Sequence, residues 1–190
     1  MPNPRVWLDT GCGTGTLVKI ALASFPETRF ILADPSLEML KEAKKKLSGT
    51  TDRRVTFLET APTQDLSAEK TGSLDVVTAI QSHHYLSKDN RVKATKVCYD
   101  ILKPGGVYVT FENTRPMTET GIEIGKRIWK DHQLKNGRSP KAVESHLKRF
   151  DAVFFPITVE EHISLLKKTG FRTTELLWYS RMQAGLYGIK

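Results

Sequence analysis

An acid and three glycines at alternate positions, Asp9-Thr10-Gly11-Cys12-Gly13-Thr14-Gly15, follow the apolar run Val6-Trp7-Leu8 and precede a second one, Thr16 to Ser24. Glycine lets a backbone turn tightly and approach a ligand with no Cβ in the way, and a helix beginning there presents unpaired N–H groups. That chemistry is nucleotide binding. A dinucleotide turn needs G-x-G-x-x-G, and counted from Gly11 and Gly13 its third glycine falls on Thr16, so the pyrophosphate pattern is excluded. A carboxylate, Asp34, closes the next apolar run nineteen residues beyond Gly15, with Pro35 and Ser36 behind it. There it is placed either to accept hydrogen bonds from both ribose hydroxyls of a nucleoside or to serve as a turn residue or N-cap ahead of Pro35. The adjacent imidazoles His83 and His84 are the candidate proton acceptors, with Tyr85 and Glu112 as neighbours across the cleft. Adjacent strand residues point to opposite faces, so at most one histidine faces a ligand unless the strand has ended.

The elements that carry these residues alternate between strand and helix. Val6 to Asp9 reads as a strand, Thr16 to Ser24 as a helix, and Phe30 to Ala33 as a strand buried on both faces. Leu37 to Leu47 is a helix with Leu40, Ala43 and Leu47 on one face and a lysine run outside it; Val55 to Glu59 is a third strand. Ser73 to Ser82 is a fourth, delivering Gln81, Ser82, His83, His84 and Tyr85 to the carboxyl end of the sheet, where open α/β sheets bind ligands. Ser87 caps a helix with Ala94, Val97, Cys98 and Ile101 inside, and Val107 to Phe111 is a strand ending at Glu112. Met117 to Phe150 is helical, with Ile124, Ile128 and Trp129 in one piece and Val143, Leu147 and Phe150 in the other after the Ser139-Pro140 start. Thr158 to Glu161 is a capping box, its helix closed by Gly170, and Phe171 to Tyr179 with Ala184 to Lys190 form a terminal strand pair.

Length and composition narrow the classes. A chain of 190 residues suits one α/β domain with a full core. No run of 18 apolar residues and no apolar leader segment occur, which predicts a soluble cytoplasmic protein without a membrane partner. Cys12 and Cys98 give neither a disulfide framework nor a metal spacing. The net charge of +8 is uneven, because residues 126 to 149 carry Lys126, Arg127, Lys130, Lys135, Arg138, Lys141, Lys148 and Arg149 against only Asp131 and Glu144. A solvated helix face accounts for that patch better than an RNA surface, since no aromatic interleaving accompanies it. His132, His146 and His162 lie in helical patterns and are expected at the surface.

The D-x-G-x-G-x-G turn, the acid at Asp34, Leu102-Lys103-Pro104-Gly105-Gly106 before an apolar strand, and the terminal strand pair together resemble the class I, Rossmann-like S-adenosylmethionine-dependent methyltransferases. The resemblance runs over nearly the whole chain and implies a seven-stranded sheet, mostly parallel with an antiparallel C-terminal strand, flanked by helices on both faces. It implies S-adenosylmethionine as cofactor: Asp9 with Gly11, Cys12, Gly13 and Gly15 at its methionine part, and Asp34, Pro35 and Ser36 at its ribose. Gln81 and Ser82 stand at the wall opposite. In the family the loop after the third strand often carries an acid for the adenine amino group; here it reads Thr60-Ala61-Pro62, so Thr60, a backbone group or Asp65 takes that place. The helical stretch at about 115 to 155 corresponds to a substrate-selecting cap inserted in a single domain, and no N-P-P-Y sequence of the amino-group methyltransferases is present.

The C-terminal half is also similar to the carboxy-S-adenosylmethionine synthases of tRNA wobble-uridine modification. These hold an extra carboxylate with an arginine of the cap, and Lys148-Arg149 is the nearest counterpart here, though at a different spacing. Relatives carry a helical lid before the first strand, whereas only five residues precede Val6, so an open cleft or a homodimer contact beside it is expected. Three readings follow: a methyltransferase acting on a small, anionic acceptor with Tyr85, Glu112 and Arg149 on the substrate side; a cofactor-modifying or RNA-directed relative; and a silent cofactor-binding module. The sequence names no acceptor and does not decide whether a general base is used.

Overall fold

The structure is a computed structural model that describes residues 3–48, 53–66 and 72–190. The chain runs β1 (Val6–Thr10), α1 (Thr16–Ser24), β2 (Arg29–Ala33), α2 (Leu37–Leu47), β3 (Val55–Phe57), β4 (Leu74–Ile80), α3 (Lys88–Ile101), β5 (Leu102–Asn113), α4 (Glu119–Lys135), α5 (Pro140–Leu147), α6 (Val159–Thr169), β6 (Thr173–Ser180) and β7 (Gln183–Ile189). The strands form one seven-stranded sheet in the order β3-β2-β1-β4-β5-β7-β6. The first five are parallel to one another, β7 runs antiparallel to β5, and β6 pairs antiparallel with β7. This is the Rossmann-like arrangement expected, and the order reverses beside β1, so the glycine turn lies at the switch point where such sheets take ligands.

Two apolar layers hold the sheet. On one face Phe30 and Leu32 of β2 pack with Val18 and Leu22 of α1 and Leu40 and Leu47 of α2. On the other, Leu8, Val77, Ala79, Tyr108 and Leu186 pack with Cys98 and Ile101 of α3 and Leu166 of α6. Alternation along the strands assigns these faces, and α2 buries Leu40, Ala43 and Leu47 as its spacing requires. Ser36, Ser87, Ser139 and Thr158 cap their helices by accepting from backbone N–H groups, and Thr158 with Glu161 completes the capping box. Asp75 aligns the central strands by accepting from the N–H groups of Arg5 and Val6.

The sequence reading and the structure part at several points, four of which bear on the packing around the site. Strand β4 ends at Ile80, and His83–Tyr85 form a 3-10 turn. Gln81 ends the strand because it adopts a left-handed conformation, φ 55°, while its N–H bonds Phe111 O. Strand β5 begins at Leu102, ahead of the glycines, because Leu102 pairs with Leu74 and the irregular register beyond Leu74 accommodates Pro104-Gly105-Gly106. In α4 the inward residues are Ile122 and Trp129, which pack with Phe150, Phe154 and Met182, and Ile124 and Ile128 are exposed. His162 is buried in α6, not at the surface, since α6 lies between α3 and the sheet edge.

Candidate cofactor cleft and active site

A cleft of about 470 Å3 opens at the carboxyl ends of β1, β2 and β4. Asp9, Gly11, Cys12, Gly13, Asp34, Pro35, Gln81, Ser82 and Tyr85 line it, all of them residues expected from the sequence. Thr16, Leu17, Ile80 and Leu86 line it too; they carry no polar motif, and their only signal was their position beside the turns. Gly15, Ser36, Thr60 and Ala61 stand outside the lining. Gly15 packs against Ala43 and Leu47 of α2, and Ala61 donates its N–H to Asp34 O.

The glycine turn is built to leave room. Gly11 has φ +66°, and a Cβ there would lie 2.4 Å from Ser82 Cβ, so a side chain at this point would push the two cleft walls apart. Gly13 has φ +52°, with nothing within 4 Å of an added Cβ, so its backbone faces open cleft. Asp34 stitches the floor together: Oδ2 accepts from Gly13 N at 2.8 Å and Oδ1 from Ser36 N at 2.8 Å. Each carboxylate oxygen keeps a second lone pair for the cleft. An open glycine backbone next to a buried, half-satisfied carboxylate fits the methionine and ribose parts of S-adenosylmethionine.

Asp9 lies at the buried end of the cleft and accepts from Thr78 Oγ1 at 2.7 Å. Burial pushes its carboxyl up, the Thr78 hydrogen bond pulls it down, and the Asp34 charge pushes it up again, leaving it at about 7. Cys12 is pushed up by burial, and further by the charges of Asp9 and Asp34, so its thiol stays protonated and inert.

Neither histidine lines the cleft. His83 Nδ1 lies 2.9 Å from the Tyr108 hydroxyl and Nε2 3.2 Å from Thr63 Oγ1, which is itself 2.7 Å from Thr10 Oγ1. His84 Nδ1 lies 2.6 Å from Glu112 Oε2 and Nε2 3.3 Å from Asn113 Nδ2, so Nδ1 donates and Nε2 accepts. Both rings are buried with both nitrogens engaged, which leaves no free acceptor pointing at a reactant. Burial holds His83 down at about 4 against the raising charge of Glu112. Glu112, expected on the substrate side, is wholly buried and absent from the cleft wall. Burial pushes its carboxyl up, but the His84 hydrogen bond, the neighbouring imidazoles and the Thr110 hydroxyl outweigh that and hold it at about 2.

Tyr85 and Arg149 do come together. Arg149 Nη2 donates to the Tyr85 hydroxyl at 3.4 Å, and its guanidinium lies 5.8 Å from the centroids of Tyr85 and Phe154. Lys148, its neighbour, is exposed and pairs with Glu144. Arg149 is half-buried and does not itself line the cleft, but lies against Tyr85, which does; a guanidinium so placed can pair with an anion.

These burials make acid stability stepwise. His83 and His162 are each depressed from 6.5 to about 4 in the fold, in both cases chiefly by burial, so each withdraws stability as pH falls from 6.5 towards 4. Asp9, raised from 3.8, returns stability over the same window. The balance is a net loss of about 2 kcal/mol. Glu112, depressed from 4.5 to about 2, then removes about 3 kcal/mol more as pH falls through that range. Urea midpoints measured from pH 7 to pH 2 should show two descents, and Glu112→Gln should erase the lower one.

The family model described as "Methyltransferase domain" matches residues 8–108. The carboxy-S-adenosyl-L-methionine synthase of Trichodesmium erythraeum is 29% identical over 178 residues, covering 93% of this chain and 68% of the relative. That of Nautilia profundicola is 27% identical over 173 residues, covering 90% and 71%. An O-methyltransferase family protein from Burkholderia thailandensis superposes with a TM-score of 0.72 at 18% identity over 98% of this chain and 51% of its own, so the chain spans about half the length of that solved structure. With the glycine turn, Asp34 and the strand order in place, the chain belongs to the methyltransferase domain family, whose cofactor is S-adenosylmethionine.

Proposed function

We propose that the chain binds S-adenosylmethionine in the 470 Å3 cleft and transfers its methyl group to a small acceptor bearing a carboxylate or similar anion, held by Arg149 beside Tyr85. The observation that carries the anionic acceptor is the contact of Arg149 with Tyr85, a residue of the cleft lining. When bound, the cofactor supplies an electrophilic carbon on a sulfonium. Asp9 and the Gly11–Gly13 backbone would hold its amino-acid end and Asp34 its ribose, while the apolar Ile80, Leu17 and Leu86 of the lining would exclude water from the bound cofactor. No histidine base is supplied, so the task of the protein is alignment of a nucleophile that reaches the cleft already able to attack.

A second reading rests on the curated relatives, whose name states that they make carboxy-S-adenosyl-L-methionine. In it, Arg149 holds the carboxylate that ends on the cofactor. Incubation with S-adenosylmethionine and a pool of carboxylic acids, followed by mass spectrometry, separates the two. Methyl transfer yields S-adenosylhomocysteine and a methylated acid; the second reading yields a cofactor heavier by carbon dioxide. Unchanged cofactor across the pool contradicts both.

Asp9 gives this reading a pH signature. Its carboxyl is neutral below about 7 and charged above, and a cationic amino group prefers the carboxylate, so cofactor affinity should rise several-fold between roughly pH 6 and pH 8. Calorimetric titration across that range should show it, and Asp9→Asn should flatten the dependence.

A further inference from the structure

The two histidines that look catalytic in the sequence belong to a clamp. Glu112, at the end of β5, fills its four acceptor positions on the turn and its neighbour: His83 N at 3.2 Å and Thr110 Oγ1 at 2.6 Å on Oε1, His84 N at 2.9 Å and His84 Nδ1 at 2.6 Å on Oε2. From the other side Arg91 of α3, itself buried, donates to His83 O at 3.2 Å, Leu86 O at 3.3 Å and Phe155 O. Phe155 N, beyond the cap helices, donates to His84 O at 2.7 Å. A carboxylate thus grips the N–H groups of the 3-10 turn and a guanidinium its carbonyls. The turn presents Ser82, Tyr85 and Leu86 to the cleft. The Tyr85 ring lies 4.4 Å from that of His84 and 6.5 Å from that of Phe154, with Arg149 against it.

We propose that Glu112 and His84 are positioning residues that fix Tyr85 in the cleft lining, and through it Arg149, without touching either reactant. A buried carboxylate satisfied by four donors has no capacity left for a substrate, yet it holds both backbone N–H groups that set the direction of the next side chain. The turn is tied to the cap by Phe155 and to the glycine turn by the His83–Thr63–Thr10 chain of hydroxyls. The anion site and the cofactor cleft are therefore joined through one turn. This inference rests on the Arg149–Tyr85 anion site proposed above.

The test uses protein labelled with 3-fluorotyrosine, the Tyr85 fluorine signal being assigned with Tyr85→Phe. In the wild type Tyr85 should give one narrow signal, moved by Arg149→Gln and by titration with malonate as the anion probe. In Glu112→Gln and in His84→Gln it should broaden or split, the downfield imidazole N–H proton of His84 should vanish, and malonate should bind at least several-fold more weakly. Restoring the carboxylate one methylene shorter, Glu112→Asp, should recover part of the narrow signal. An unchanged Tyr85 signal in both variants, with the His84 proton lost, overturns the positioning role. If Glu112→Gln does not fold, His84→Gln decides alone. If malonate leaves the wild-type Tyr85 signal unmoved, the anion reading fails, while the effect of Glu112 on Tyr85 is still read from the line shape.

Discussion

Replacing Asp34 by alanine should weaken S-adenosylmethionine binding by at least a hundredfold, the largest loss expected of any single side chain in the cleft. Two effects add. The carboxylate already bonds Gly13 N and Ser36 N at 2.8 Å each, so its removal leaves both amides unpaired and frees the glycine turn from the start of α2. On the proposed cleft assignment the ribose hydroxyls lose their acceptor too. At about 1 to 3 kcal/mol for each buried group left without a partner, a loss of ~3 kcal/mol or more follows. Asp34→Asn keeps the shape and one acceptor and should fall between. Calorimetric titration of the three proteins measures this, and equal affinities would remove Asp34 from the site.

Arg149→Gln should leave cofactor affinity nearly unchanged and raise the KM of the anionic reactant roughly 10- to 100-fold, the ~1.5 to 3 kcal/mol of a charge-assisted hydrogen bond. Arg149 is half-buried against Tyr85 and Phe154, where salt screens it less than an exposed lysine. Lys148→Gln changes an exposed group that pairs with Glu144 one helical turn away, and should do little. Steady-state kinetics of the two variants therefore tells a placed arginine from a diffuse basic patch. Comparable effects at both positions would favour the patch.

The contrast between these neighbours shows what the sequence could and could not carry. Arg149 was named from its resemblance to the cap arginine of relatives, but helical spacing does not say which of two adjacent cations meets an aromatic ring. The cleft floor was legible: backbone geometry demands glycine at Gly11, where φ is +66°, and the acid after the buried second strand lines the cleft as its spacing implied. The opposite wall was not. His83, His84 and Glu112 have the residue types of acid-base chemistry, but their use depends on where β4 stops, and that is set by the left-handed Gln81. Once the strand ends two residues early, the pair rolls inward as a turn and finds Glu112 on the adjacent strand. His162 failed for a related reason: a polar residue in a helical pattern reads as exposed unless the far side of the helix is also covered, as α3 and the sheet cover α6.

The most direct test of the account is amide-resolved NMR of the isotope-labelled protein titrated with S-adenosylmethionine. The cleft assignment predicts that the largest shifts fall on Gly11, Cys12, Gly13, Ser36 and Ser82, with little change in α6 or along β6. Saturating shifts centred elsewhere, or no shift in the glycine turn at millimolar cofactor, would contradict it.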